Sequence, residues 1–295
     1  MKNILRFLHD TPKIVSARRK TDGSRPCIGL AVSDAWPDRY QIRRLPYDLA
    51  LARAGARILT FSPGSLLYEE DKFRQLNGLV ISGGEDVHPS HYEGDIASAG
   101  EINLERDRLE LRLIEKAICH RIPLLCICRG AQLLAVWAGG KLESHDADEL
   151  KMKIHTGPLW RFRRHVIALK PGSRLQSVYE KDQINVNSFH HQAIIDAGKL
   201  AISGTWEKDM IEGVELPGEA FVVGVQWHPE LLALLNSRHQ ALFSALVEAS
   251  RATLKLGGQG PLPPCDEKEE EGAPHLINHI GYPYQELGME LGTRG

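Results

Sequence analysis

The chain has 295 residues, 42% hydrophobic and 25% charged, the composition of a soluble globular protein with ample material for a buried core. Its formal net charge of −2 gives no bulk electrostatic reason to expect a nucleic acid or a membrane surface as partner, and no apolar run approaches the ~20 residues needed to span a bilayer. Cys27, Cys119, Cys126, Cys128 and Cys265 lack the spacing of a disulfide framework or zinc finger, which fits a reducing compartment and places the protein in the cytoplasm.

Residues 1–25 form a basic arm, with Lys2, Arg6, Lys13, Arg18, Arg19, Lys20 and Arg25 set against Asp10 and Asp22. The arm lacks the apolar core of a secretory signal, and Asp10 and Pro12 argue against a mitochondrial presequence. From residue 26 onward short apolar runs alternate with helix-period segments. CIGLAV (27–32) reads as a buried strand, the segment 43–56 as a helix ending at Gly55, and RILTFS (57–62) as a second strand. GLVISGG (78–84) is a third strand running into paired glycines.

The segment 103–121 reads as an amphipathic helix with Leu104, Leu111, Ile114, Ala117 and Ile118 on one face. Its charges Arg106, Asp107, Arg108 and Glu110 read as a solvated face with i, i+4 pairs; a structural ion pair with the neighbouring loop is the second reading. LLCIC (124–128) is a strand, and the helix 130–140 stops at Gly139-Gly140. Beyond it, 165–175, 184–194, 200–206 and 221–230 are richer in strands and hairpin turns, and a final helix is expected over roughly 231–254. Strict alternation with apolar strands implies an α/β fold with a mostly parallel sheet covered by helices on both faces. The Gly, Pro and acidic stretch that opens 257–295 marks a flexible tail, so the folded domain is expected to span 26–256.

The chemistry centres on CICRG (126–130). Cys128 stands where a strand ends and a helix begins, and Gly130 permits a tight turn against the sheet. Such an elbow exposes its side chain at the carboxyl edge of the strands, beside a helix N-terminus that favours a thiolate. His228 follows the apolar run 221–227. If the segment is extended, Glu230 lies on the same side, giving a thiol nucleophile, an imidazole base and a carboxylate that fixes its tautomer. Gly83 and Gly84 end another strand, where they form either an ordinary turn or, with the amide of Arg129, an oxyanion hole. No cysteine, histidine or acidic cluster has metal-ligand spacing, and no cofactor is expected.

SGGEDVHPSHYEG, ERDRLELRLIEKA, IPLLCICRGAQLL with AGGKL, HVIALKPGSRL, VNSFHHQAI and GVQWHPE occur in one order. Together they resemble the class I glutamine amidotransferase-like hydrolases of the peptidase C26 type, specifically the γ-glutamyl-γ-aminobutyrate hydrolase group, over roughly 26–250. The resemblance implies a flavodoxin-like domain that cleaves a small γ-glutamyl amide through a cysteine thioester. It places the nucleophile on Cys128, the histidine on His228, the acid on Glu230 and the oxyanion donors on the amides of Gly84 and Arg129.

Gln132, His190 and Gln192 are the candidate substrate-binding residues, although each has an ordinary structural reading as well. Asp86 and His88 are read as ordering the loop after Gly84, and His155 and His165 as surface histidines. Cys126 stands where many members carry glycine, and 143–162 lacks the short pattern expected after Gly-Gly-x-Leu. That segment walls the pocket in the family, so the leaving amine stays open; γ-aminobutyrate and a polyamine are both candidates. A homodimer is the expected assembly. Two other readings stand beside this one: a glutaminase subunit that uses the same triad to supply ammonia to a separate synthetase, and a catalytically silent domain that binds a partner through its acidic tail, against which the intact Cys128, His228 and Glu230 argue.

Overall fold

The computed structural model describes residues 25–33, 43–63, 69–144, 164–190, 192–207 and 210–255. The basic arm, the segment 145–163 with His155, His191 and the acidic tail lie outside the described residues. In chain order the elements are β1 (Cys27–Ala31), α1 (Leu45–Arg53), β2 (Arg57–Phe61), α2 (Glu69–Phe73), β3 (Gly78–Ile81), α3 (Leu104–Cys119), β4 (Leu124–Ile127) and α4 (Arg129–Trp137). They continue with β5 (Lys141–Ser144), β6 (Arg164–Leu169), α5 (Arg174–Tyr179), β7 (Gln183–Asn187), β8 (Gln192–Asp196), β9 (Ala201–Trp206) and β10 (Met210–Glu215). β11 (Val222–Val225), α6 (Pro229–Ala233) and α7 (Ser237–Lys255) complete the described chain.

The strands form one mixed sheet. Its centre, β2-β1-β3-β4-β11, is parallel throughout. Beyond β11 the sheet continues antiparallel through β10, β9, β6 and β7, with β8 joining β10 and β5 joining β8. The later, hairpin-rich third of the sequence thus extends the same sheet.

Helices cover both faces of the parallel part, as its uninterrupted apolar strands require. Leu124 and Cys126 of β4 face α3 and α4, whereas Leu125 and Ile127 face α1, α6 and α7. Asn103 caps α3, its side chain accepting from the Arg106 amide at 3.0 Å, and Glu105 and Asp107 occupy the first turn where the helix dipole favours acids. No helix among the described residues is long and apolar enough to cross a membrane.

Three expectations change. The helix expected over 231–254 is two helices, α6 and α7, because Asn236 breaks the run: its side chain accepts from the Arg238 amide at 3.0 Å, and Leu235 is 80% exposed. β10 lies outside the expected strands because the buried carboxylate of Glu212 interrupts its apolar pattern. The charge run on α3 is not a solvated face. Arg106, Asp107 and Glu110 are fully buried, only Arg108 of the four is exposed, and the second reading, an ion-paired contact with the loop after β3, describes them.

Gly130 is dictated by packing. A Cβ there would stand 2.4 Å from the Ile81 carbonyl oxygen, so α4 rests directly on the end of β3. Gly130→Ala is expected to lower stability by about 1–3 kcal/mol, read as a lower urea midpoint at unchanged m-value.

Candidate active site

β3, β4 and β11 are neighbours in the parallel sheet, and their carboxyl ends deliver Ser82–Gly84, Cys128 and Gln226–His228 to one edge. This is where open α/β sheets place their chemistry, because chain ends diverge there and leave side chains unpaired.

Cys128 is the hinge between β4 and α4. Its amide still donates to the Val225 carbonyl at 2.7 Å, as though the strand continued, while its own carbonyl accepts the first helical bond from Gln132 at 3.1 Å. Satisfying both forces φ to 52° and ψ to −109°, a conformation rare for a residue with a Cβ. The Gln226 side-chain amide donates to its sulfur at 3.8 Å. Cys126 is a fully buried core residue whose thiol is pushed well up, first by burial and then by the Glu110 charge.

His228 and Glu230 meet through a helix cap rather than along an extended strand, which corrects the geometry read from the sequence. His228 is the N-cap of α6, Pro229 occupies the first position, and Glu230 lies in the first turn. The His228 Nδ1 to Glu230 Oε1 distance is 2.6 Å. Asn187 grips the histidine backbone from both sides: its Oδ1 accepts from the His228 amide at 2.9 Å, and its Nδ2 donates to the His228 carbonyl at 3.2 Å. The Phe189 ring packs edge-on against the imidazole, with centroids 5.5 Å apart.

Burial alone would favour the neutral imidazole. The Glu230 carboxylate and the Cys128 sulfur, each also hydrogen-bonded to the ring, outweigh it and hold the imidazolium well above the usual histidine range. The ring is thereby held as a proton donor beside the Cys128 sulfur.

The paired glycines border the same space. A Cβ on Gly83 would lie 2.7 Å from His228 Cε1 and 3.4 Å from Cys128 Cβ. The Gly83 amide is taken by the Tyr47 hydroxyl at 3.2 Å, whereas the Gly84 amide has no protein acceptor among the described residues. Arg129 is the first residue of α4, so its amide has no carbonyl one turn back within the helix. Gly84 and Arg129 thus carry backbone donors on the two turns that adjoin Cys128.

Gln132, His190 and Gln192 are buried and joined to one another. Gln132 Nε2 donates to the Gln192 carbonyl at 2.7 Å and to Gln226 Oε1 at 3.3 Å, which links it to the cysteine through one side chain. His190 Nδ1 lies 2.9 Å from the same Gln192 carbonyl. The Gln192 side chain accepts from the Val87 amide at 3.2 Å and donates to the Tyr92 hydroxyl at 3.1 Å, tying β8 to the loop after β3. In that loop Asp86 accepts from the Gly100 amide at 2.8 Å and His88 caps a short 3-10 turn, so both order the chain locally.

His165 is not a surface histidine. β6 alternates exposed and buried positions, and His165 faces inward, with Nε2 3.2 Å from Glu212 Oε1 and the Trp206 ring 5.2 Å away. His190 Nε2 approaches the same carboxylate oxygen at 3.8 Å. Burial would raise the Glu212 carboxyl, but the two imidazoles bring it down to about 2.

Asn187, Gln226, Tyr47 and Glu212 also shape the site without having been singled out from the sequence. The first two lie inside the quoted strings VNSFHHQ and GVQWHPE, while nothing local marks Tyr47 or Glu212. Among the described residues no three of His, Cys, Asp and Glu are grouped to hold a metal ion.

Because Glu230 is the first of the groups that raise His228, Glu230→Gln is expected to move the imidazole titration to lower pH when followed by NMR of the ring protons. The sign extends to stability. The contribution of His228 is complete below its unfolded value of about 6.5 and disappears as pH rises through its raised folded value. The Gln variant should therefore lose most of its stability difference from wild type at alkaline pH. An unchanged titration would show that the carboxylate does not govern the ring.

Comparison with known proteins agrees with this architecture. The Peptidase C26 family model matches residues 34–230. A glutamine amidotransferase-like protein of Rickettsia prowazekii is 33% identical over 259 residues, covering 72% of this chain and 90% of that protein. The γ-glutamyl-γ-aminobutyrate hydrolase of Escherichia coli O157:H7 is 30% identical over 192 residues, covering 61% of this chain and 72% of that one. In structure, the acivicin-bound glutaminase domain of Trypanosoma brucei CTPS shares the fold at a TM-score of 0.55 and 15% identity, covering 76% of this chain and 94% of that domain. With its family match over residues 34–230 taking in Cys128, His228 and Glu230, the chain belongs to the peptidase C26 family of glutamine amidotransferase-like hydrolases.

Proposed function

We propose that the protein hydrolyses the γ-glutamyl amide of a small amine, with Cys128, His228 and Glu230 as its catalytic triad. The observation that carries this reading is the meeting of three independent chain segments at one strand edge. A cysteine in a strained elbow, an imidazole bonded to a buried carboxylate at 2.6 Å and a loop with a spare amide all converge there. The E. coli relative that acts on γ-glutamyl-γ-aminobutyrate supports the substrate class.

In this mechanism the Cys128 thiolate attacks the γ-carbonyl, forming the S–C bond and placing charge on the carbonyl oxygen, which the amides of Gly84 and Arg129 receive. The intermediate collapses, the C–N bond breaks, and His228 gives its proton to the departing amine. His228, now neutral and oriented by Glu230, takes a proton from water, which attacks the thioester. Glutamate leaves and the thiolate–imidazolium pair is restored. Gln132, His190 and Gln192 border the acyl group on the β8 side, with Gln132 acting on the sulfur environment through Gln226.

The second reading, a glutaminase subunit, draws on the relatives described as glutamine amidotransferase-like. The two readings separate on a panel of γ-glutamyl-γ-aminobutyrate, γ-glutamyl-polyamines and glutamine assayed with the protein alone. Vigorous turnover of the first two is expected. Ammonia release from glutamine only after a synthetase is added would favour the subunit. Cys128→Ala should lower kcat by about 10⁴-fold or more, and activity surviving that substitution would sink the mechanism.

A further inference from the structure

We propose that Arg106 is the positioning residue of the oxyanion hole, and that α3 holds both oxyanion donors through one buried ionic cluster. The inference rests on the hydrolase reading above and extends it to a residue that does not touch substrate.

The cluster lies beneath the site. Arg106, Asp107 and Glu110 on α3 and Arg129 on α4 are all buried, and the two guanidiniums face three carboxylates, those of Asp107, Glu110 and Glu85. Buried ion pairs are poor sources of stability compared with an apolar core of the same shape. Their arrangement indicates what they orient.

Arg106 uses its whole planar fork. Nε donates to Glu110 at 2.7 Å and Nη1 donates to Glu85. Nη2 reaches the Gly83 carbonyl at 3.0 Å, the Ser82 hydroxyl at 3.1 Å and the Ser82 carbonyl at 3.4 Å. In a planar trans peptide the carbonyl of one residue and the amide of the next point in opposite directions. Drawing the Gly83 carbonyl onto the guanidinium therefore turns the Gly84 N–H away from it. A Cβ on Gly83 would meet His228 and Cys128, so this peptide borders the site. The guanidinium also polarises this peptide, which strengthens its N–H as a donor. Contact is close enough that a Cβ on Gly84 would fall 2.0 Å from Nη1.

The second donor is fixed by the same helix. The Arg129 side chain pairs with Glu110 and Asp107, anchoring the first residue of α4 immediately after Cys128. Glu110 thus bridges the arginine that orients the Gly83–Gly84 peptide and the arginine whose own amide is the other donor. Asp107 additionally accepts from the His88 amide at 2.9 Å, so α3 holds the loop after β3 at Gly83 and again at His88. A lysine at position 106 would keep the charge but lacks the fork that serves Glu110, Glu85 and the loop together.

The test compares wild type, Arg106→Lys and Glu110→Gln for hydrolysis of γ-glutamyl-p-nitroanilide and for alkylation of Cys128 by iodoacetamide. Alkylation needs the thiolate but no oxyanion hole. Arg106→Lys is expected to lower kcat by about 10²-fold, the scale of one lost oxyanion donor. KM and the alkylation rate should stay within about threefold of wild type, the pattern of an interaction made only in the transition state. Glu110→Gln keeps the shape and removes the shared charge, and should show the same kcat-selective loss in smaller measure; it carries the test if Arg106→Lys does not fold. Unimpaired kcat in the folded variant, or kcat and alkylation falling together, would overturn the positioning role. A wild type that is alkylated at Cys128 yet hydrolyses no γ-glutamyl amide would instead overturn the hydrolase reading on which it rests.

Discussion

Everything at the strand edge depends on the backbone of Cys128, held at φ 52° and ψ −109°. A residue with a Cβ pays about 1–3 kcal/mol to remain there, so its surroundings must over-determine it. They do so from four directions. The amide is fixed to β11, the carbonyl to the first turn of α4, Gly130 is pressed onto the end of β3, and the Arg129 side chain is tied to α3.

The neighbouring elements are built to the same demand. His228 is held as an N-cap by Pro229, clamped through its backbone by Asn187 and oriented through its ring by Glu230. Asn187 ends β7, at the far margin of the antiparallel extension, and its grip on His228 brings that margin back over the parallel half. The antiparallel strands therefore supply the partners of the histidine, whereas the parallel strands supply the cysteine and the glycine loop.

Two groups of buried charge stand on elements beside the strand edge, one on α3 beneath the glycine loop and one where Glu212 of β10 receives His165 and His190. Charges withdrawn from water need partners on every side, which makes such groups rigid and directional where apolar packing is forgiving. The remaining core is aliphatic and aromatic on both faces of the sheet. Directional interactions are thus concentrated where positions matter to chemistry.

The strands of the parallel half, the elbow at Cys128, the glycine turn at Gly83–Gly84 and the His-Pro-Glu string were legible in the sequence, because each is a local pattern of apolar period, turn residue and spacing. Local pattern could not say that Arg106, Asp107 and Glu110 are buried: on one helix they satisfy the i, i+4 rule of a solvated face, and only Glu85 and Arg129, distant in sequence, give them a reason to be inside. Nor could it show that β10 carries a carboxylate into the interior, that His165 faces inward to meet it, or that Tyr47 of α1 occupies the Gly83 amide. The sequence by itself determined which strands end in Gly83–Gly84, Cys128 and His228, because each end is marked by a local turn pattern. Tertiary structure alone decided which charges lie beneath them and how the amides are turned, because burial and hydrogen-bond direction are properties of pairs brought together from distant segments.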